Sequence, residues 1–168
     1  MADKILKGKV FKFGDGISTD LIIPGRYAHL RSNLPELAGH VMEDADPQFA
    51  GKITPGDFIV AGKEFGLGSS REHAPLVIKM AGISAVLAKS FARIFFRNAI
   101  NQGLPLMTCD TDKIDSGDTI EINFAAGTVS DLTNGNKLTF GRIPQVMLDI
   151  LDEGGLIPYI NKHGDFKL

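Results

Sequence analysis

Apolar residues in this chain recur with two periods, and the switches between them mark out the elements. Lys9-Val10-Phe11-Lys12-Phe13 alternates imperfectly and reads as a first strand, which Gly14-Asp15-Gly16 ends in a turn. Leu21-Ile22-Ile23 is a short apolar run stopped by Pro24-Gly25, the size of a buried strand or a loop anchor. From Pro35 to Glu43 the period lengthens to that of a helix with proline in its first turn. Leu34, Leu37, Ala38 and Val41 form its buried stripe. After the turn Pro55-Gly56-Asp57, residues 57–62 read as a strand. A glycine-spaced segment over 66–70 leads into a second helix that runs to about Met80, with Gly82 as its left-handed cap. Residues 84–89 make a compact buried strand. Ser90 caps a third helix whose apolar face is Phe91, Ile94, Phe95 and Ala99. Gly103 stops that helix, and Leu104-Pro105-Leu106-Met107 resumes extended structure.

The remaining segment reads as a β-rich lid. Residues 118–123 alternate, and the runs 128–132 and 137–140 flank Asn134-Gly135, a strong hairpin-turn signal. Pro144 starts a last helix over 146–151, closed by Gly154-Gly155. The strand–helix–strand–helix–strand run from 57 to 107 predicts parallel neighbours joined by right-handed crossovers. The hairpins around it predict a mixed sheet. No internal repeat and no linker rich in Pro, Gly and Ser divides the chain, so residues 1–168 are expected to form a single α/β domain.

Composition narrows the classes of function. Eighteen basic residues against 20 acidic ones leave a net charge of −2, with no basic run, which argues against a nucleic-acid partner. No apolar stretch approaches the ~18–20 residues that span a bilayer, so no membrane partner is expected. Cys109 is the single cysteine, which excludes an intramolecular disulfide framework and a Cys-only metal site within this chain. One cysteine and no leader-like segment predict a reducing, cytoplasmic compartment.

Chemistry concentrates in Phe65-Gly66-Leu67-Gly68-Ser69-Ser70-Arg71-Glu72-His73-Ala74-Pro75. This stretch follows a predicted strand and opens a helix, where ligands bind on open α/β sheets. Gly66 and Gly68 permit positive φ and a close backbone approach. Pro75 cannot lie deep in a helix, so the helix begins near Glu72 to Ala74. Ser69, Ser70 and Arg71 then sit just before it, beside N–H groups that attract anions, and the Arg71 fork suits a carboxylate. The favoured ligand is a small polycarboxylate beside a serine hydroxyl. Ser69 and Glu72 also match a capping box, a purely structural role. A P-loop fails for want of a lysine after the second glycine. A Ser–His nucleophile reading lacks Gly-x-Ser-x-Gly, which leaves His73 as a local hydrogen-bond partner of the turn.

Gly68-Ser69-Ser70-Arg71-Glu72-His73-Ala74 resembles the signature of the swivelling domain of the aconitase superfamily. Lys89-Ser90-Phe91-Ala92-Arg93-Ile94 and Ser18-Thr19-Asp20-Leu21-Ile22-Ile23-Pro24 resemble two further motifs of that domain. From about Gly8 to Tyr159 the chain is similar to the stand-alone small subunits of isopropylmalate-type hydro-lyases. The resemblance implies a swivelling β/β/α domain with a mixed, partly barrel-like sheet and flanking helices. It implies dehydration and rehydration of a small hydroxy di- or tricarboxylate, with a [4Fe–4S] cluster carried by a separate large subunit and no metal bound by this chain. By the same resemblance Ser69 is the catalytic base. Ser70 and Arg71 bind substrate carboxylate, and Gly66, Gly68, Glu72 and His73 support the turn. Arg93 and Arg97, one helical turn apart, are read as solvated or core-bracing.

The segment after Pro24-Gly25 departs from the family pattern, reading Tyr27-Ala28-His29-Leu30-Arg31-Ser32. Either Arg31 enters the site by way of an insertion, where it would bind an extra carboxylate as homoaconitate requires, or Ala28 and His29 fill the selecting positions. Three functions stay open: the isopropylmalate-type subunit, a homoaconitase-type or dimethylmalate/citramalate-type subunit, and a non-catalytic module that only pairs with a partner.

Overall fold

The computed structural model of the chain describes residues 1–166. Among these, seven strands are β1 (Ile5–Lys12), β2 (Phe58–Ala61), β3 (Ala85–Ala88), β4 (Leu106–Thr108), β5 (Thr119–Asn123), β6 (Thr128–Asp131) and β7 (Lys137–Thr139). They form one sheet in the order β4-β3-β2-β1-β5-β6-β7. The pairs β1–β2, β2–β3 and β3–β4 are parallel, with Val10 opposite Phe58 and Val60 opposite Leu87. The pairs β1–β5, β5–β6 and β6–β7 are antiparallel, with Gly8 opposite Ile120. β1 is the seam, parallel to one neighbour and antiparallel to the other. The sheet curls without closing, leaving β4 and β7 as its edges.

The helices are α1 (Thr19–Ile22), α2 (Leu34–Ala38), α3 (Phe49–Lys52), α4 (His73–Met80), α5 (Arg93–Asn101), α6 (Gln145–Asp152) and α7 (Leu156–His163), with a 3-10 helix over Gly25–Ser32. Two cores lie on the two faces of the sheet. Ile59, Ala61, Val86 and Ala88 point into one, with Ile22, Leu37, Phe49, Phe65 and Val77. Phe58, Val60, Ala85 and Leu87 point into the other, with Ile120, Ile122, Val129, Leu148 and Tyr159. The parallel strands are buried on both faces, which is why β2 and β3 read as unbroken apolar runs. Helix α5 gives Phe95 and Ala99 to the first core and Ile100 to the second.

The predicted parallel centre and the mixed sheet are present, three expectations change and one open alternative is settled. The segment after residue 118 is no lid: β5–β7 continue the same sheet, because β1 offers a second edge for pairing. Leu21-Ile22-Ile23 is not a strand but the loop anchor, with Ile22 and Ile23 buried in the first core. It belongs to a helical turn that Ser18 caps by accepting the Leu21 N–H at 3.1 Å. Ser90 does not cap α5, which starts after Ala92; its Oγ accepts the Glu64 N–H at 2.8 Å instead. Phe91 accordingly bridges to Phe65, and Ile94 stays exposed. Gly154-Gly155 links α6 to a further helix, α7, which seats Tyr159 in the second core.

Candidate active site

Three loops leave the carboxyl ends of β1, β2 and β3 and are laced together, which builds one site from three motifs distant in sequence. The Gly66 N–H donates to Ile17 O at 2.7 Å, and the Thr19 N–H donates to Leu67 O at 2.8 Å. The Phe65 N–H donates to Ser90 O at 3.0 Å, and the Ala92 N–H returns to Phe65 O at 2.9 Å. This is the end of a parallel sheet at which α/β proteins place ligands.

Ser69 lies exposed on the turn between β2 and α4. Thr19, 1% exposed, supports it from below: Thr19 Oγ1 donates to Ser69 O at 3.0 Å and stands 3.4 Å from Ser69 Oγ. Gly66 and Gly68 both have positive φ, +82° and +104°. A Cβ on Gly66 would lie 2.1 Å from Phe95 Cγ, and one on Gly68 would lie 3.3 Å from Thr19 Oγ1. Any side chain at Gly66 would push the serine turn off the core. The capping box is not formed: Glu72 is the residue before α4, and no side chain caps that helix. Among the described residues, the N–H groups of Ser69, Ser70 and Glu72 have no partner within the chain. They remain open to a negative charge held beside Ser69.

Arg71 is half-buried and fixed from two sides. Its Nη1 donates to Ile23 O at 2.6 Å, and its Nη2 pairs with the exposed carboxylate of Asp20. A guanidinium has more donors than these two contacts use, so the fork stays able to bind a carboxylate. Ser70 and Glu72 are exposed on the same turn, and His73 is half-buried. Among the described residues the Glu72 and His73 side chains make no hydrogen bond within the chain. The turn is therefore held by Thr19 and Arg71 rather than by Glu72 and His73. Ser69, Ser70, Arg71, Glu72, His73 and Arg31 together line an open cleft of about 440 Å³.

The 25–32 segment has a period of three, because it is a 3-10 helix, and that period sorts its residues. Gly25, Ala28 and Arg31 share the stripe lining a smaller cavity of about 90 Å³, whose other walls are Ile23, Pro24, Leu37, Arg71 and His73. Tyr27 and Leu30 form the stripe packed on the core. Arg26, His29 and Ser32 form the exposed stripe, and His29 Nδ1 lies 3.1 Å from Arg26 O. Ala28 and Arg31 are thus brought to the site together, and His29 is not.

Arg93 and Arg97 are exposed and form no ion pair among the described residues. Cys109 is buried in the core on the other face of the sheet, and burial pushes its thiol up to about 11. No group of three His, Cys, Asp or Glu side chains among the described residues is placed to hold a metal ion. Two site residues carried no individual role at the level of sequence, Thr19 and Asp20. Their signal was membership of the Ser18–Pro24 motif, whose partners lie some 50 positions away.

A family model described as the aconitase C-terminal domain matches residues 28–111. The chain is 65% identical over 161 residues to a protein of Archaeoglobus fulgidus named 3-isopropylmalate dehydratase small subunit 2, covering 96% of this chain and 98% of that one. It is 52% identical over 160 residues to the isopropylmalate/citramalate isomerase small subunit of Methanocaldococcus jannaschii, covering 94% and 95% of the two chains. A crystal structure of a 3-isopropylmalate dehydratase from the same organism superposes with a TM-score of 0.92 at 44% identity, covering 96% of each chain.

Proposed function

Because the chain belongs to the aconitase C-terminal domain family and, within it, to the 3-isopropylmalate dehydratase small subunits, we propose that its cleft carries the base of a hydro-lyase that interconverts 2- and 3-isopropylmalate. This isomerisation is a step of leucine synthesis. The observation that carries the reading is the serine turn itself. Ser69 is exposed, does not cap α4, is supported by a buried threonine and lies on a turn whose N–H groups at Ser69, Ser70 and Glu72 are unpaired among the described residues. A serine hydroxyl is a poor base until its oxyanion is stabilised, and directed donors in a partly enclosed site do that.

In this reading Ser69 Oγ, as the alkoxide, takes the proton from the carbon next to a substrate carboxylate and returns it on the opposite carbon after water has left and re-added. Ser70 and Arg71 hold that carboxylate, with Asp20 keeping the Arg71 fork in place. The 90 Å³ cavity has walls of Ile23, Pro24, Gly25, Ala28 and Leu37. At about 30 Å³ for each water-sized group, it has room for roughly three such groups, the scale of a branched alkyl substituent. Arg31 sits at its rim and selects by charge.

The donors of this chain do not fit a [4Fe–4S] cluster, which needs several thiolates where this chain has Cys109 alone, on the far face of the sheet. The cluster therefore belongs to a large subunit, where it would hold the substrate hydroxyl, and the active species is the complex of the two. No described helix is long and apolar enough to cross a membrane. The proposal sets the complex in the reducing cytoplasm.

The test is Ser69→Ala in the complex reconstituted anaerobically with its large subunit. Turnover should fall about a thousandfold or more. The melting temperature should stay within a degree or so, since no ~1 kcal/mol cap is lost. A variant that melts earlier but turns over normally would show that Ser69 is a structural residue. In the same complex Arg31→Ala should lower kcat/KM for a tricarboxylate such as homoaconitate by about tenfold to a hundredfold, the ~1.5–3 kcal/mol of a charged hydrogen bond, and for isopropylmalate much less. His29→Ala should change it little.

A further inference from the structure

The 25–32 helix presents the selecting residues yet has no fully buried side chain of its own. Its eight residues exceed the 3–4 that 3-10 geometry ordinarily sustains. Besides the packing of Tyr27 and Leu30 on the core, it is held by residues 40–44, which lie outside the lining of the cleft. The Tyr27 ring is stacked on the His40 ring, with centroids 3.8 Å apart and planes 17° from parallel. The Tyr27 hydroxyl donates to Glu43 Oε1 at 2.9 Å, and Glu43 Oε2 lies 2.6 Å from His40 Nδ1. Arg26 donates to Glu43 Oε1 at 3.2 Å and to both oxygens of Asp44 at 2.7 and 3.0 Å. Its guanidinium lies 4.7 Å from the Tyr27 ring centroid.

Glu43 is the hub of this cluster, and its bonds to His40 and then Tyr27 hold its carboxyl below the usual carboxylate range. The segment bearing His40, Glu43 and Asp44 is itself anchored in the core. Val41 and Met42 are fully buried, and the Met42 N–H donates to Ile22 O at 3.0 Å. A continuous mechanical path therefore runs from α1, which supports Ser69 and Arg71, through 40–44 to the 25–32 helix. None of Tyr27, His40 and Glu43 lines the cleft or the small cavity.

We propose that Tyr27, His40 and Glu43 form a clasp that sets the rotation of the 25–32 helix, and are thereby positioning residues for substrate selection. In a helix with three residues per turn, rotation by a single residue replaces a whole stripe. Without the clasp, Gly25, Ala28 and Arg31 lose their fixed aim at the cavity. The clasp rests on the reading of the cleft as a hydro-lyase site.

The experiment uses Tyr27→Phe, Glu43→Gln and the double variant in the full chain. Tyr27→Phe keeps the ring stacking and removes only the hydroxyl. Amide hydrogen exchange is followed in the isolated chain, and KM and kcat are measured in the reconstituted complex for two malates that differ only in the substituent at C3. The clasp predicts that amides of 25–32 exchange about tenfold faster or more while those of 73–80 are unchanged. It predicts KM up by about tenfold with kcat nearly constant, and a preference between the two malates altered by about threefold or more. Unchanged exchange in 25–32 for Tyr27→Phe and the double variant would overturn it. So would a fall in kcat at constant KM. Failure of the hydro-lyase reading registers separately, as no turnover of either malate by the unsubstituted complex, and leaves the exchange result standing.

Discussion

Thr19→Val removes one hydroxyl from beneath Ser69 and almost nothing else. Thr19 is 1% exposed, and valine has its shape, so neither a cavity nor overpacking follows. The bond lost is Thr19 Oγ1 to Ser69 O at 3.0 Å, a neutral hydrogen bond of about 0.5–1.5 kcal/mol net. Ser69 O is not orphaned, because it still accepts the Arg71 N–H at 2.8 Å. The larger penalty of an unpaired buried acceptor is therefore avoided. In a chain of 168 residues the melting temperature should fall by only about 1–6 °C. Catalysis should suffer more. The Ser69 hydroxyl loses the contact with Thr19 Oγ1 at 3.4 Å, and a displacement of about 1 Å at a reacting group can cost about a hundredfold. We expect kcat to drop by about tenfold to a hundredfold in the reconstituted complex. KM should move little, since Ile23 and Asp20 still hold Arg71. Thr19→Ser restores the hydroxyl and should restore kcat. Steady-state kinetics on the two variants, with calorimetry on the isolated chains, decides the matter. Equal kcat in Thr19→Val and Thr19→Ser would refute the claim that this contact aims the base.

Gly66→Ala should destabilise the chain by about 2–5 kcal/mol, the left-handed backbone and the collision with Phe95 together. Gly135→Ala, at a similar positive φ but with open space around its Cβ, should show only the backbone part; equal urea midpoints for the two would refute the packing argument. Cys109, buried and pushed up to about 11, should react with iodoacetamide at pH 8 about a hundredfold more slowly in the native chain than in urea. Equal labelling rates would show that the thiol is open to solvent.

The parallel centre of the sheet was legible because β2 and β3, covered on both faces, leave no polar position to interrupt the run. The serine turn was legible because Gly66 and Gly68 before a proline-limited helix leave few backbone solutions. The continuation through β5–β7 was not, since alternation specifies a strand but not its partner. Helix α7 was missed because a double glycine serves equally well as an end or a link.

The order of elements and the types of chemistry at residues 66–73 follow from the sequence by itself, because they depend on local backbone preference and on which side chains are present. The choice among Ala28, His29 and Arg31 does not. It depends on the 25–32 segment adopting a period of three and on the face that Tyr27 anchors against His40 and Glu43, contacts made 13 to 16 positions along the chain. The aim of Ser69 depends on Thr19, 50 positions away. Local propensity specifies where a short helix can form. Its rotation, and the pairing of loops from different strands, are set by packing against a core that exists only once the sheet has assembled.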